Sequence, residues 1–302
     1  MVTGKEFTYD NIKHHRSFNR QTWMPYIFVS PYIIFVGVFV LFPVIFSFIL
    51  TFHKWNIIAP MKFIGVNNYT RLFHDRLFWT SILNTLKFLV VHIPLQLAIS
   101  LFLAVLLNQK IKAVSFFRAS FFMPVIVSGV VVTILWQQLL GFELGIINRV
   151  FTSVGLPKVG WLVNPDVAIY SIAVMATWKN VGLYVILFLV GLQTVPTQYY
   201  EAARLDGASR WQQFLHITLP MINPTVFMVV ILSTIGGFSL FIEPYIMTGG
   251  GPLNKTLSAV LYIYKQAFQY YNMGYSATLG FFYALMIMLV VVLQKRLIEK
   301  EV

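Results

Sequence analysis

The chain has 302 residues, of which 58% are hydrophobic and only 11% are charged. Soluble domains carry about 25% charged residues, so this composition excludes an ordinary water-soluble domain and indicates a protein embedded in a lipid bilayer. The formal charge of +12 is distributed in short runs between apolar blocks, a pattern that argues against nucleic-acid binding. The absence of cysteine excludes disulfides and thiolate chemistry.

Apolar stretches long enough to cross a bilayer, which takes about 20 helical residues, recur along the chain. Six such stretches occur, at 26–50, 82–107, 121–140, 167–191, 222–242 and 278–293. The first follows a basic tail at 1–24, is longer than a signal-peptide core and lacks a cleavage motif, so we expect it to be a retained anchor. The pattern predicts an all-α integral membrane fold with six transmembrane helices over residues 25–302.

Lysine and arginine are moderately enriched in alternate loops, starting with the amino-terminal tail. Because basic loops stay on the cytoplasmic side, this bias predicts that both termini are cytoplasmic. The longer loops at 52–78, 141–166 and 243–275 are then extracellular. The loop between the fourth and fifth stretches lies inside the cell.

That inner loop is polar, yet its pattern is helical rather than irregular. Thr197 follows a proline and is placed to cap a helix over 198–206. Gly207 supplies the left-handed residue that ends it. Ser209 is placed to cap a second helix that runs to about His216. The sequence therefore predicts two short helices, meeting at a glycine and projecting from the membrane over about 196–220.

The same loop carries a sequence motif. It reads E-A-A at Glu201–Ala203, then Gly207, then I-x-L-P at Ile217–Pro220. This spacing resembles the EAA loop of ABC importer permeases, and the resemblance implies a coupling helix that inserts into a cleft of a cytoplasmic ATPase. The residues that it assigns to ATPase coupling are Glu201, Ala202, Ala203, Gly207, Ile217, Leu219 and Pro220. The alternative is an amphipathic helix lying on the membrane surface.

Further stretches resemble the maltose-type, sugar-importing branch of that family. They are Phe116–Val125, Trp178, Gly191–Pro196, Thr248–Pro252 and Met273–Ala277. The resemblance implies the six-helix core of a type I ABC importer permease in a bacterial or archaeal cytoplasmic membrane. Its implied partners are a second permease subunit, two cytoplasmic ATPase subunits and an extracellular sugar-binding protein.

No phosphate-binding GxxxxGK[ST] loop occurs in the chain, so the chain is not expected to be an enzyme. We expect no cofactor here, with ATP and Mg²⁺ bound by the partner ATPase, and we predict no metal site.

A sugar pathway needs polar groups and an aromatic face inside an apolar cavity. Candidates lie on the fourth and fifth stretches, which line the sugar pathway in the family: Trp178, Asn180, Tyr184, Ser233, Phe238, Ser239 and Glu243. Each has an ordinary alternative: interface aromatics for Trp178 and Tyr184, helix packing for Ser233, and snorkelling for Glu243 and the neighbouring Lys179. Lys87 and His92 are interpreted as structural. The resemblance also favours Gly250, Gly251 and Pro252 as part of a binding-protein dock rather than an ordinary turn.

Two other function classes deserve comparison. An intramembrane enzyme would need a motif such as Gly-x-Ser-x-Gly or His-Glu-x-x-His, and neither occurs. A secondary transporter would explain the apolar stretches but not the projecting loop at 196–220. A permease for a polar solute other than a sugar also stays open.

Overall fold

The computed structural model describes residues 23–109 and 113–298, and it is predominantly helical. Almost all of the predicted basic tail at 1–24 lies outside the described residues. The helices in chain order are α1 (Met24–Leu50), α2 (Asn67–His74), α3 (Arg76–Leu107), α4 (Val114–Ile126), α5 (Gly129–Leu139), α6 (Ile146–Ser153), α7 (Ala168–Gln193), α8 (Thr197–Leu205), α9 (210–221), α10 (Asn223–Phe238), α11 (Ile242–Met247), α12 (Ala259–Tyr264) and α13 (Met273–Ile298). A two-residue strand, β1 (His53–Lys54), pairs antiparallel with β2 (Lys62–Phe63).

The chain divides into two compact units between Ile49 and Leu50. The first unit contains α1 up to Ile49, a predominantly apolar helix. It includes a π-helical turn at Gly37–Leu41, which ends two residues before Pro43. A widened turn of this kind accommodates a proline, whose ring clashes with the carbonyl one turn back in a regular helix. All elements from α2 onward belong to the second unit.

Five segments of the described chain are long and apolar enough to cross a membrane: α1, α3, α7, α10 together with α11, and α13. The remaining predicted stretch, 121–140, which is the third in chain order, is not one straight helix. It is divided between α4 and α5, which meet at an angle of 96°. Val127 and Ser128 are both extended there, with ψ of 144° and 126°, so the helical hydrogen-bond ladder stops. Apolar composition carries no information about such a bend.

The second unit is organised around α7, which packs most extensively against α3 and also against α4 and α10. Two glycines permit these close approaches. A Cβ at Gly182 would overlap the backbone of Phe121 and Phe122 in α4, and one at Gly191 would overlap the Thr225 side chain in α10. α7 is consequently buried on several sides, which is typical of the central helix of a bundle.

The segment at 243–275, which the sequence suggested to be a long loop, contains α11, α12 and a π-helical turn at Lys265–Gln269. Leu257 and Leu261 are almost completely buried in the core that they share with α3 and α13. The short helices escaped prediction because each spans only six residues. Their stability comes from packing rather than from their own length.

Asp75 connects three helices, α3, α12 and α13, through hydrogen bonds. Its Oδ1 accepts hydrogen bonds from the amides of Leu77 and Phe78, which caps α3, and its Oδ2 accepts from the hydroxyls of Tyr262 at 2.7 Å and Tyr275 at 2.6 Å. Burial opposes the charge on this carboxyl, but the four hydrogen bonds outweigh burial and lower the pKa of Asp75. Asp75 is therefore a fully hydrogen-bonded carboxylate.

The contact at Gly182 generates a stability prediction. Gly182→Ala should lower the free energy of unfolding by about 1–3 kcal/mol, because α4 must move away from α7 to admit the methyl group. Thermal unfolding of the purified protein in detergent measures this. Gly280→Ala, also within a helix, is the matched control, since its Cβ would meet no atom within 4 Å. Equal melting temperatures for the two variants would contradict the packing described here.

Candidate functional site

A polar cavity of about 240 Å³ lies between α3, α7 and the junction of α10 with α11. Its lining residues are Phe88, His92, Ala176, Lys179, Asn180, Tyr184, Ser233, Gly236, Gly237, Ser239, Leu240, Ile242 and Glu243. Five of the seven predicted pathway residues are among them: Asn180, Tyr184, Ser233, Ser239 and Glu243. The fold thus brings together side chains that are up to 63 positions apart in the sequence.

An ion pair crosses this cavity. Lys179 Nζ of α7 lies 2.7 Å from Glu243 Oε1 of α11, and the two side chains are only 17% and 9% exposed. Their partners are therefore each other, and snorkelling to the membrane interface does not describe them. The lining carries one positive and one negative side chain that neutralise each other, so it is strongly polar without a net formal charge from this pair.

His92 also lines the cavity, although sequence reasoning treated it as structural. Its Nδ1 lies 2.9 Å from Thr177 Oγ1, and its ring stacks on Phe88 at a centroid distance of 4.8 Å. The spacing of polar residues in α3 could have indicated that His92 faces the interior. Buried polar side chains recur on α3 at Ser81, Thr85, His92, Gln96 and Ser100. Spacings of four and seven residues place them on one face of a helix.

The remaining polar groups of the lining use part of their hydrogen-bonding capacity within the chain. Asn180 donates its amide to Ala176 O at 2.9 Å, and Ser239 donates its hydroxyl to Ile235 O at 3.0 Å. Each side-chain oxygen keeps acceptor capacity, and the Lys179 ammonium keeps further donor positions. The lining accordingly offers both donors and acceptors, the combination that hydroxyl-rich ligands require.

Two predicted pathway residues do not line the cavity. Trp178 is 45% exposed and contacts Trp136 at 5.5 Å, beside a separate apolar groove of about 570 Å³. Phe238 is 1% exposed, and its ring meets Tyr283 edge-on at 5.9 Å. Successive helical residues point about 100° apart, so neighbours of cavity residues face in other directions.

The predicted double helix is present as α8 and α9, with local corrections. Gly207 has φ of +78°, the left-handed conformation expected at the end of α8. Ser209 caps α9 in a reciprocal capping box with Gln212, also as predicted. Thr197, however, is the first residue of α8 and makes no capping hydrogen bond. α9 continues beyond His216 through a π-helical turn to Met221, because that turn accommodates Pro220 without breaking the helix.

The two helices are hydrogen-bonded to each other, and much of their remaining surface is exposed. Tyr200 and Thr218 hydroxyl oxygens lie 2.8 Å apart and link α8 to α9. Of the predicted coupling residues, Glu201, Ala202, Gly207 and Pro220 are exposed, whereas Ala203, Ile217 and Leu219 are half-buried. Leu205 is 90% exposed and Trp211 is 66% exposed. An exposed apolar surface of this kind on an ordered element marks an interaction site.

The predicted dock forms a tight turn that is largely enclosed. Gly250 is buried with φ of +92°, and Gly251 and Pro252 are half-buried and joined by a cis peptide bond. Thr256 donates its hydroxyl to Gly251 O at 2.6 Å and holds the turn closed. Leu253, the residue after Pro252, is 80% exposed. The glycines therefore shape this turn, and the residue after Pro252 forms its surface.

Comparison with known proteins adds independent information. Residues 96–301 match the family model of the binding-protein-dependent transport system inner membrane component. A lactose transport system permease protein of Rhizobium radiobacter is 34% identical, over 89% of this chain and 92% of its own length. An arabinooligosaccharides transport system permease protein of Bacillus subtilis is 34% identical, over 90% of this chain and 88% of its own length.

The fold has a close counterpart among solved structures. A chain of a bacterial alginate ABC transporter, solved in complex with an alginate pentasaccharide-bound periplasmic protein, superposes with a TM-score of 0.80 at 23% identity. The match covers 91% of this chain and 94% of that one. Together with the relatives above, it confirms the resemblance that the EAA motif suggested. This chain belongs to the family of binding-protein-dependent transport system inner membrane components, the permease subunits of ABC importers.

Proposed function

We propose that this chain is a transmembrane subunit of an ATP-driven importer for a carbohydrate, with α8 and α9 as the element that couples it to a cytoplasmic ATPase. The observation that carries the proposal is the ordered, exposed double helix between two membrane-spanning segments. A transporter that worked alone would have no use for exposed Leu205 and Trp211 on such an element. A partner that buries them would explain both their exposure and the capping that keeps the element helical.

The proposed topology follows from this assignment. With α4 and α5 counted as one broken span, the chain crosses the membrane six times, and both termini are cytoplasmic. The α8–α9 element then lies inside the cell, where ATP is available. The Gly250–Pro252 turn lies outside, where a substrate-binding protein delivers its ligand. The membrane would be the cytoplasmic membrane of a bacterium or an archaeon.

The proposed mechanism is alternating access driven from outside this chain. ATP and Mg²⁺ bind to two partner ATPase subunits, whose closure moves the α8–α9 element of this chain and the equivalent element of a second permease subunit. Only three residues separate the end of α7 at Gln193 from the start of α8 at Thr197, so movement of α8 is transmitted directly to the helix that bears Lys179 and Asn180. The permease halves then open toward the binding protein and receive the sugar.

A carbohydrate is proposed as the substrate on two grounds. The relatives described above transport lactose and arabinooligosaccharides according to their names, and a trehalose/maltose transport system permease protein of Thermococcus litoralis is 34% identical over 84% of this chain. Independently, the cavity combines donors and acceptors with aromatic side chains from Phe88 and Tyr184. Sugars present hydroxyl groups at their edges and C–H groups on their faces, and this lining matches both.

Charge reversal tests the coupling element. Glu201→Lys should reduce sugar uptake by about tenfold or more, because an unfavourable charge at a close protein contact costs over 1.4 kcal/mol. Uptake into cells and ATP hydrolysis by the purified complex measure the effect. Asp166→Lys makes the same charge change at an exposed site outside the element and should leave uptake unchanged. Normal uptake by the Glu201 variant in an intact complex would remove α8 from the coupling role.

Filling the cavity tests the substrate pathway. Ser239→Trp should abolish sugar-stimulated ATP hydrolysis while the complex still assembles, because the indole occupies space in a cavity of only about 240 Å³. Ser239→Ala is the matched variant that removes the hydroxyl and keeps the space, and it should retain most stimulation. Full stimulation of Ser239→Trp would show that the substrate does not pass this position, and loss of assembly would mean that Ser239 has a packing role.

A further inference from the structure

A second polar cleft, of about 210 Å³, shares no lining residue with the substrate cavity. β1, α2 and the beginning of α13 form it, and we call it the basic cleft after its lining residues Lys54, Trp55, Asn67, Arg71, Asn272 and Tyr275. Its walls are held rigidly. Asn68 donates to the carbonyls of Thr51 at 2.8 Å and His53 at 3.1 Å, and the Met273 amide donates to Trp55 O at 3.0 Å.

The charged side chains that line the basic cleft, those of Lys54 and Arg71, are both positive. Lys54 is directly opposite Lys62 across the two-stranded ladder, an arrangement of like charges that is destabilising unless an anion compensates it. The Arg71 guanidinium lies 3.9 Å above the centre of the Tyr275 ring, which orients it without neutralising it. The ion pairs Lys158–Glu143 and Lys179–Glu243 of the described chain include neither Lys54 nor Arg71.

In the described part of the chain, the carboxylate of Asp75 is connected to Arg71 through Tyr275, and its acceptor positions are already filled by hydrogen bonds within the protein. Asp75 accepts four hydrogen bonds, two from backbone amides and two from the hydroxyls of Tyr262 and Tyr275. A carboxylate has about four lone-pair sites, so Asp75 has no strong acceptor position left for Arg71 or Lys54. The cleft therefore presents two cations and the amide side chains of Asn67 and Asn272, a set of hydrogen-bond donors that suits an anionic ligand.

The depth of the basic cleft in the membrane follows from the helices beside it. The membrane-spanning helices α3 and α13 begin at Arg76 and Met273, and the hydrogen bond from Tyr275 to Asp75 places the two beginnings side by side. The cleft thus lies beside the ends of two membrane-spanning helices, outside their apolar stretches, which begin at 82 and 278. Aromatic side chains collect at this level, and Lys and Arg side chains near helix ends reach it, because lipid headgroups occupy it.

The β1–β2 hairpin next to the cleft exposes large apolar side chains. Ile58 is 87% exposed, Phe63 is 69% exposed and Ile57 is 51% exposed, on a segment only a few residues from Lys54 and Lys62. In water this surface would be unfavourable, whereas acyl chains would cover it. Cations and exposed apolar side chains therefore occur on the same hairpin, with Phe63 on the face of the ladder opposite to the Lys54–Lys62 pair.

We propose that the basic cleft binds the headgroup phosphate of an anionic glycerophospholipid, with an acyl chain lying along the exposed Ile58. An acidic side chain of a protein partner would also satisfy the cations, but the position of the cleft beside the ends of two membrane-spanning helices favours a lipid. The proposal concerns a lipid site and does not depend on which solute the transporter carries. It assigns Lys54 and Arg71 as the phosphate-binding residues and Lys62 as a contributor of positive charge.

The test compares lipid binding by the assembled transporter and by variants. Native mass spectrometry of the detergent-purified complex, titrated with phosphatidylglycerol or phosphatidylcholine, counts bound lipids. Lys54→Gln combined with Arg71→Gln should weaken phosphatidylglycerol binding by about tenfold or more, since each basic group near a membrane surface adds substantially to the binding of anionic lipid. Phosphatidylcholine binding should change little. Arg71→Lys, which keeps the charge, should retain most of the phosphatidylglycerol affinity.

The matched control is Arg149→Gln combined with Lys158→Gln, which removes the same charge from α6 and the segment after it. It should bind phosphatidylglycerol like the unaltered complex. Unchanged phosphatidylglycerol binding by the Lys54 and Arg71 variant would overturn the proposal, as would displacement of the lipid by an equal concentration of inorganic phosphate. Unchanged lipid binding with weakened association of the substrate-binding protein would assign the cleft to that protein instead. Assembly and melting temperature, measured on the same samples, exclude misfolding as the cause.

Discussion

A polar group that enters a bilayer is costly unless it finds a partner inside the protein or faces a polar cavity, because hydrocarbon supplies none. This constraint explains much of the second unit. The polar stripe of α3 faces inward, where His92 meets Thr177 and Thr85 accepts a hydrogen bond from the Ala259 amide. Lys179 and Glu243 meet each other. The interior polar groups therefore determine how α3, α7 and the α11–α12 region are arranged, while the apolar outer faces leave that arrangement open.

The same constraint shows why some features could be predicted from sequence and others could not. Gly207 and Ser209 act on backbone groups within three residues of themselves, so their roles in ending α8 and starting α9 are readable locally. The break at Val127–Ser128 and the burial of Leu261 depend on contacts with distant segments, and a composition window does not contain that information. Thr197 shows the limit of a local rule, since the helix begins one residue earlier than the capping pattern requires.

The candidate site divides along similar lines. Residue type, together with the family resemblance that points to the fourth and fifth stretches, selected Asn180, Tyr184, Ser233, Ser239 and Glu243, all of which line one cavity. The same reasoning selected Trp178 and Phe238, which face elsewhere, because helix phase relative to unseen neighbours decides direction. His92 was passed over because it was considered alone rather than as one member of the α3 stripe. The period of the stripe, more than any single residue, carries the information about which face is internal.

The ion pair across the cavity has a further physical consequence. Lys179 belongs to α7 and Glu243 to α11, so any movement that separates these helices leaves two charges without their partners in a medium of low polarity. Removing one member of a buried pair costs about 3–5 kcal/mol, a measure of how strongly such a separation is resisted. Hydroxyl groups of a bound sugar donate to a carboxylate and accept from an ammonium, and they are well suited to replace the lost contact. A substrate whose hydroxyl groups take the place of the ion pair would therefore lower the cost of opening.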